Sequence, residues 1–258
     1  MLNDTENQLT LTGWSSINNH SGKTYTDAKL KLVAGDIHRA RPEMKGRGGM
    51  VAEMAMADVG FEEKAFFEYH LYTLPRPSTI ADNEIKQITL FEPATAGVAK
   101  QYHFASTGGN SQVEVKLEFV NSEANGLGMP LPAGRVRVFK KDTDGSSILL
   151  GEDRVGHTPK DEKLLLTVGN AFDIVAEELT VDSRTMSQRV TEFDYRITLR
   201  NHKTEAVDII ITRSLGSNWR VISSSHAFEK ISAERIRFVV SAPADGEAVV
   251  DFTVRYER

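Results

Sequence analysis

The feature that most constrains this chain is a strict alternation of apolar and polar residues, clearest at Gln112-Val113-Glu114-Val115-Lys116-Leu117-Glu118-Phe119. Four apolar side chains point one way and four polar ones the other, as in a half-buried antiparallel strand. The alternation recurs over residues 9–17, 66–74, 85–91, 136–139, 195–199, 236–240 and 250–256. Hardly any stretch carries helical spacing. Many short strands separated by turn signals every roughly 8 to 15 residues predict sandwiches or barrels. The expected fold class is therefore all-β: tandem antiparallel β-sandwich (immunoglobulin-like) domains.

A length of 258 residues admits one large β domain or two. Such a chain buries roughly 70 to 75% of its unfolded surface, enough for cores without covalent staples. It has no cysteine, which excludes disulfides, thiolate metal sites and a cysteine nucleophile, and leaves the compartment open. The 36 acidic and 31 basic residues give a net charge of −5 without a long single-sign block, so no electrostatic footprint for nucleic acid is present. No apolar run approaches the roughly 18 to 20 residues of a membrane span, and Met1 to Asn7 lack the regions of a signal peptide. Strand-like sequence already begins at Leu9, as in a chain from which an upstream targeting segment has been removed.

The small, polar stretch Ala105-Ser106-Thr107-Gly108-Gly109-Asn110 marks the expected boundary. Residues 1–106 form the first predicted domain, whose sheet an upstream segment would complete, and residues 107–258 the second. The first is interrupted over 42–62 by Pro42-Glu43-Met44-Lys45-Gly46-Arg47-Gly48-Gly49-Met50 and the segment after it, which together hold four of the seven methionines. A short helix over 50–57 would align Met50, Met54 and Ala57 as an adaptable binding face. The same composition fits a flexible Met/Gly-rich insertion between two strands, which is the expectation.

Three strands end on an asparagine followed by a polar loop and a fresh strand, at Asn18-Asn19, Asn121 and Asn201. Asparagine tolerates positive φ and bonds its own backbone, so it suits a corner where a strand turns back. The three read as one solution to one turning problem, and duplicated domains are one origin for them.

Candidate chemistry is sparse. No G-x-S-x-G elbow is present, and the serines sit in polar turns. His20, His38, His70, His103, His157, His202 and His226 are dispersed, without the paired spacing of a zinc helix; His70 and His103, both on predicted strands, could meet across a sheet. Lys140-Lys141-Asp142-Thr143-Asp144-Gly145 resembles the start of a calcium loop, but Gly151 stands at the twelfth position, where a glutamate is needed, and Asp-Gly between strands predicts a tight hairpin. Glu152 and Asp153 near His157 form an acidic cluster whose use as a carboxylate pair would require a cleft. The segment 125–134 packs three glycines and two prolines into ten residues, a fixed connection with positive φ; a strand follows it, so it is no phosphate loop. Residues 156–162 read as a crossover turn between sheets. Trp14 and Trp219 are expected as core anchors rather than stacking platforms.

Several segments together resemble a bacterial family. They are Asn18-Asn19-His20-Ser21-Gly22-Lys23-Thr24-Tyr25 leading to Leu30-Lys31-Leu32-Val33-Ala34-Gly35-Asp36, then Glu68-Tyr69-His70-Leu71-Tyr72, then Asn125-Gly126-Leu127-Gly128 with Pro130-Leu131-Pro132-Ala133-Gly134. Gly151-Glu152-Asp153 and Gly169-Asn170-Ala171-Phe172-Asp173 complete the set. The chain resembles, through nearly its whole length, domain of unknown function family 4139, whose members include mucoidy inhibitor A-like proteins. The resemblance implies an export signal and further sequence upstream, hence a periplasmic or cell-envelope location. It implies no catalytic residue. From the sequence no catalytic, cofactor-binding or metal residue is assigned and no cofactor is expected. The expected function is a non-enzymatic binding or scaffold module for a protein or glycan of the cell envelope, and the alternative a hydrolase or lyase acting on an envelope polysaccharide.

Overall fold

The computed structural model describes residues 1–35, 53–55, 62–66, 68–106 and 111–257. Nineteen strands and one 3-10 turn account for their regular structure. In chain order the strands are β1 (Gln8–Asn19), β2 (Tyr25–Ala28), β3 (Lys31–Ala34), β4 (Glu53–Ala55), β5 (Glu62–Phe66), β6 (Tyr69–Thr73), β7 (Ser78–Ile80), β8 (Glu84–Gly97), β9 (Ala99–Ser106) and β10 (Gln112–Val120). After the turn Glu123–Asn125 come β11 (Gly134–Lys141), β12 (Ser147–Val155), β13 (Lys163–Ser187), β14 (Val190–Asn201), β15 (Val207–Ser214), β16 (Trp219–Ser224), β17 (Phe228–Ser232), β18 (Arg235–Ala242) and β19 (Gly246–Glu257). The protein is all-β, and no helix among the described residues is long and apolar enough to cross a membrane.

The chain forms two compact units, one of Met1–Val98, Phe119–Ile148 and Arg154–Leu164, the other of Ala99–Glu118, Leu149–Asp153 and Leu165–Arg258. Of the boundary expected at 105–110, residues 107–110 lie outside the described residues. The strands flanking it, β9 and β10, pair antiparallel from Glu114↔His103 to Glu118↔Ala99, and these paired residues all belong to the second unit. Most of the insertion expected over 42–62 also lies outside the described residues. The backbone of Glu53–Ala55 within it is strand β4, parallel to β8, rather than part of a helix over 50–57.

The first unit holds the sheets β1-β8-β4, β3-β6-β5 and β2-β7 around Tyr72, Leu74, Ile88 and Leu90. Trp14, expected in a core, is 62% exposed. It is out of phase with buried Leu9 and half-buried Ile17, on a strand whose register shifts on both sides of Gly13, and the Phe91 ring fills the space beside that glycine.

The second unit is built on one nine-stranded sheet, ordered β16-β19-β14-β13-β10-β9-β15-β18-β17. Its ladders β16–β19, β19–β14, β14–β13, β10–β9, β15–β18 and β18–β17 are antiparallel, and β15 on β9 is parallel. β18 and β19 stand six places apart in that order, which in a flat sheet would separate them by about 29 Å. Their rings Phe238 and Phe252 instead lie 5.3 Å apart, centroid to centroid. The sheet therefore folds over itself. Phe104, Ile209, Ile211 and Phe238 of one wing pack against Ile174, Ile197, Leu199, Val250 and Phe252 of the other. Alternation within each strand supplies this shared core, since every second side chain of both wings faces inward.

The three asparagine corners have one geometry. Each carboxamide is buried, with Asn121 and Asn201 fully inaccessible. Asn19 donates from Nδ2 to Lys23 O and Ala81 O, both at 2.8 Å, and accepts the Ser21 N–H at 3.2 Å. Asn201 donates to Glu205 O at 2.8 Å and Pro243 O at 2.9 Å, and accepts the Lys203 N–H at 3.0 Å. Asn121 donates to Met129 O at 2.7 Å and Pro159 O at 2.8 Å, and accepts the Gly128 N–H at 3.2 Å. Two residues after the second acceptor, each corner places a side chain at positive φ: Asn83 (60°), Asp161 (66°) and Asp245 (44°). One residue before that acceptor lies the pairing Tyr25↔Ile80, Leu131↔Thr158 or Val207↔Ala242. In each copy a strand runs into the asparagine, and a later strand leaves the positive-φ turn to run back beside it: β1 with β8, β10 with β13, β14 with β19.

The second corner has the longest asparagine loop, and there the glycine-proline segment is needed. Gly126 and Gly128 sit at φ 81° and 89°, and a Cβ on Gly126 would collide with the Thr95 carbonyl. Asn125 pins the loop to the end of β8, accepting the Gly97 N–H at 2.9 Å and donating to Gly97 O at 3.1 Å. The Asp142–Ser146 turn is the expected hairpin: Gly145 has φ 84° and its N–H bonds Asp142 O at 2.9 Å.

Replacing a corner asparagine removes a buried carboxamide that bonds the backbone of two loops at once. Asn201→Ala is expected to lower the stability of the second unit by about 2–4 kcal/mol, against under about 0.5 kcal/mol for exposed Asn170→Ala, in urea unfolding. Asn201→Asp is expected to cost more than alanine at neutral pH, because a carboxylate would face carbonyl oxygens, and to recover as acid protonates it.

Candidate functional site

The candidate residues suggested by the sequence do not converge. Glu152 and Asp153 are consecutive on β12 and so point to opposite faces. Asp153 Oδ2 accepts the Thr167 N–H at 2.7 Å, and His157 Nδ1 accepts the Ala133 N–H at 3.1 Å. His70 and His103 stand in different sheets, the first 2.7 Å from Glu63 Oε1 and the second 2.8 Å from Gln101 Oε1. Among the described residues no three His, Asp or Glu side chains are grouped to hold a metal ion. Trp219 packs against the core of the second unit, donating Nε1 to Ala233 O at 2.8 Å with Lys230 Nζ 4.6 Å from its ring centre.

The second unit has a cleft of about 440 Å³ lined by Thr191, Phe193, Tyr195, Ser217, Asn218, Tyr256 and Glu257. Thr191, Phe193 and Tyr195 alternate along β14 and share its inner face, Tyr256 lies opposite Thr191 on β19, and the loop before β16 supplies Ser217 and Asn218. That loop is tied to the end of β19 by the Glu257 N–H, which bonds Asn218 O at 3.0 Å. The floor is aromatic. Phe193 stacks on Tyr195 at 6.1 Å and meets Tyr256 edge-on at 5.7 Å. Burial first, and then the neighbouring Tyr195 hydroxyl to which it is hydrogen-bonded, holds the Tyr256 phenol well above its ordinary pKa, so it stays a neutral hydrogen-bonding group.

A buried ion pair stiffens this end of the core. The Arg213 guanidinium lies 4.8 Å from the Tyr195 ring centre and 3.0 Å from Glu178 Oε1, and it donates to Ser106 O at 3.2 Å. The Ser106 hydroxyl donates to the other oxygen of Glu178. Strands β9, β13, β14 and β15 are thereby joined, and the Glu178 side chain is only 3% exposed. The opposite face of β14 carries ions instead. Arg184 forks onto Asp194 at 2.6 and 3.0 Å, Arg255 reaches Glu192 at 2.6 Å, and Arg196 meets Asp251 at 2.7 Å. Arg184 holds the Asp194 carboxyl below its usual range. This cross-strand ladder pairs its own charges, with Glu192 buried among them, and it leaves the aromatic side for contacts. An aromatic floor with hydroxyl, amide and carboxylate groups on its rim suits a small polar ring or an extended segment. No sequence motif marks the cleft; its one trace is the alternation Thr191-Glu192-Phe193-Asp194-Tyr195, which sorts aromatics from acids.

Removing one member of the buried pair strands the other. Glu178→Ala is expected to destabilise the second unit by about 3–5 kcal/mol, whereas Glu178→Leu combined with Arg213→Met is expected to lose less than either single change, in a denaturant double-mutant cycle. Burial first, and then Lys116, lowers the pKa of His103 below its ordinary 6.5. The unfolded chain then binds the proton more readily, so stability is fullest above the ordinary value and falls as pH drops through it. His103→Gln is expected to flatten that slope in urea midpoints taken at neutral and mildly acidic pH. No protein-family model, curated protein or solved structure matches the chain.

Proposed function

We propose that this chain is a non-enzymatic module of the bacterial cell envelope, built as tandem immunoglobulin-like β-sandwiches, that binds a protein or glycan at the aromatic cleft of β14 and β19. The observation that carries the reading is the cleft itself, with three aromatic rings below a rim of Thr191, Ser217, Asn218 and Glu257. Rings present flat apolar faces, and the rim adds directional hydrogen bonds, the combination that sugar rings and extended peptides require. The buried Glu178–Arg213 pair supports it by holding the floor rigid before a ligand arrives, which reduces the ordering cost of binding.

The resemblance to domain of unknown function family 4139 supports the envelope location. The Asn18–Tyr25 motif that carries it forms the first asparagine corner, and the 125–134 motif closes the second. A hydrolase or lyase acting on an envelope polysaccharide is the second reading. Binding is favoured over it because Glu152 and Asp153 leave opposite faces of one strand.

The test is binding of envelope glycan fragments and envelope proteins to the purified chain and to a Thr191→Ala, Asn218→Gly double variant. Glycine keeps the positive φ of residue 218, so only side-chain contacts are lost. The expected result is a ligand whose affinity drops at least about tenfold in the variant while the unfolding midpoint stays unchanged. Equal affinity in both proteins, or turnover of a wall polymer by the purified chain, would overturn the reading.

A further inference from the structure

Strand β1 is twelve residues long and forms one edge of its sheet, with β8 on one side only. At its start the other side is taken by the chain's first residues. Met1 and Thr10 exchange hydrogen bonds at 2.6 and 2.8 Å, and Leu2 bridges Leu9. Beyond Thr10 no described strand pairs with that edge.

An open edge of this length normally carries charge or proline, which discourages pairing with other strands. The edges of the nine-stranded sheet follow the rule, with Arg220 in β16 and Glu229 and Lys230 in β17. β1 breaks it. Its sequence Gln-Leu-Thr-Leu-Thr-Gly-Trp-Ser-Ser-Ile-Asn-Asn has no charged residue and no proline, and it exposes Trp14.

The recurring corner shows what the same edge carries elsewhere. β14 corresponds to β1, since each runs into its corner asparagine and pairs antiparallel with the strand leaving the positive-φ turn. The far edge of β14 is covered by β13, antiparallel, from Ile174↔Asn201 to Ser187↔Val190. Within one molecule, then, this module edge accepts an antiparallel strand, and in β1 no described strand takes the position beyond Thr10.

We propose that the edge of β1, which no described strand covers beyond Thr10, is a homodimer interface, in which Leu11 to Ile17 of two copies pair antiparallel across a two-fold axis at Trp14. Such an axis makes the two strands antiparallel, the same sense as β13 on β14. It also sets a strand against itself, so charged residues would face like charges; β1 has none. The outward Thr12 and Ser16 side chains then hydrogen-bond across the strands, and Trp14 faces its own copy. A partner strand of other chemistry would need no such neutrality along the whole edge.

The experiment is analytical ultracentrifugation of the purified chain from about 1 to 300 μM, which covers micromolar dimer affinities. The wild type is expected to rise with concentration from the 28.6 kDa of one chain toward twice that mass. Ser16→Lys, at an exposed outward position, places like charges near the axis and is expected to stay monomeric at every concentration. Unchanged circular dichroism and unfolding midpoint establish that this variant folds. A wild type that stays monomeric throughout, including one whose edge fills only with another protein's peptide, overturns the proposal. So does a Ser16→Lys variant that dimerises like the wild type.

Discussion

A buried carboxamide holds this protein's strands in order. Each corner asparagine makes three or more hydrogen bonds to backbone of two separate loops, and its removal would take a partner from those groups and leave its own buried site empty. That cost makes the corner selective. A strand must deliver the asparagine, its own loop must present one carbonyl and one N–H, and a distant turn must present the second carbonyl two residues before a positive-φ residue. Once these conditions hold, the outgoing strand is set in register beside the incoming one. The ladders β1–β8 and β14–β19 follow from this, and the two faces they create position everything else.

How much of this is legible in the sequence depends on whether the determinant is local. Alternation at 112–119 places a strand because a period of two is a property of neighbouring residues, and Val113, Leu117 and Phe119 are indeed the buried ones. The three asparagines stand out because each sits at the end of such a pattern, and Gly126, Gly128 and Gly145 because their positions demand positive φ. Trp14 lies on the surface because phase outweighs residue type: it shares its face with the outward threonines and Ser16 of β1, and points away from the face of Leu9 and Ile17. The parallel pairing of β15 with β9, and the sheet that folds over to bring Phe238 to Phe252, join residues far apart in the chain, and no local pattern encodes them. The same holds for the cleft, whose lining comes from β14, β19 and the loop before β16.

The two faces of β14 divide the labour of the second unit. Its outer face commits its charges to satisfied cross-strand pairs, so those ions are not poised for chemistry. Its inner face runs from the aliphatic core at Ile197 and Leu199 to the aromatic cleft at Phe193 and Tyr195, and the Glu178–Arg213 pair marks the transition. The proposed binding role rests on that aromatic cleft and the polar groups that line it.

If the corners order the strands, their hydrogen bonds must be as persistent as those of the core strands, although they are set in loops. Hydrogen exchange by NMR on the turn amides of Asn83, Asp161 and Asp245, with the side-chain NH₂ groups of Asn19, Asn121 and Asn201, tests this directly. All six are expected to exchange as slowly as amides in the middle of β14 and β19. Exchange at the rate of the exposed Asp142–Ser146 turn would show that the corners open freely and that the sheets hold the strands without them.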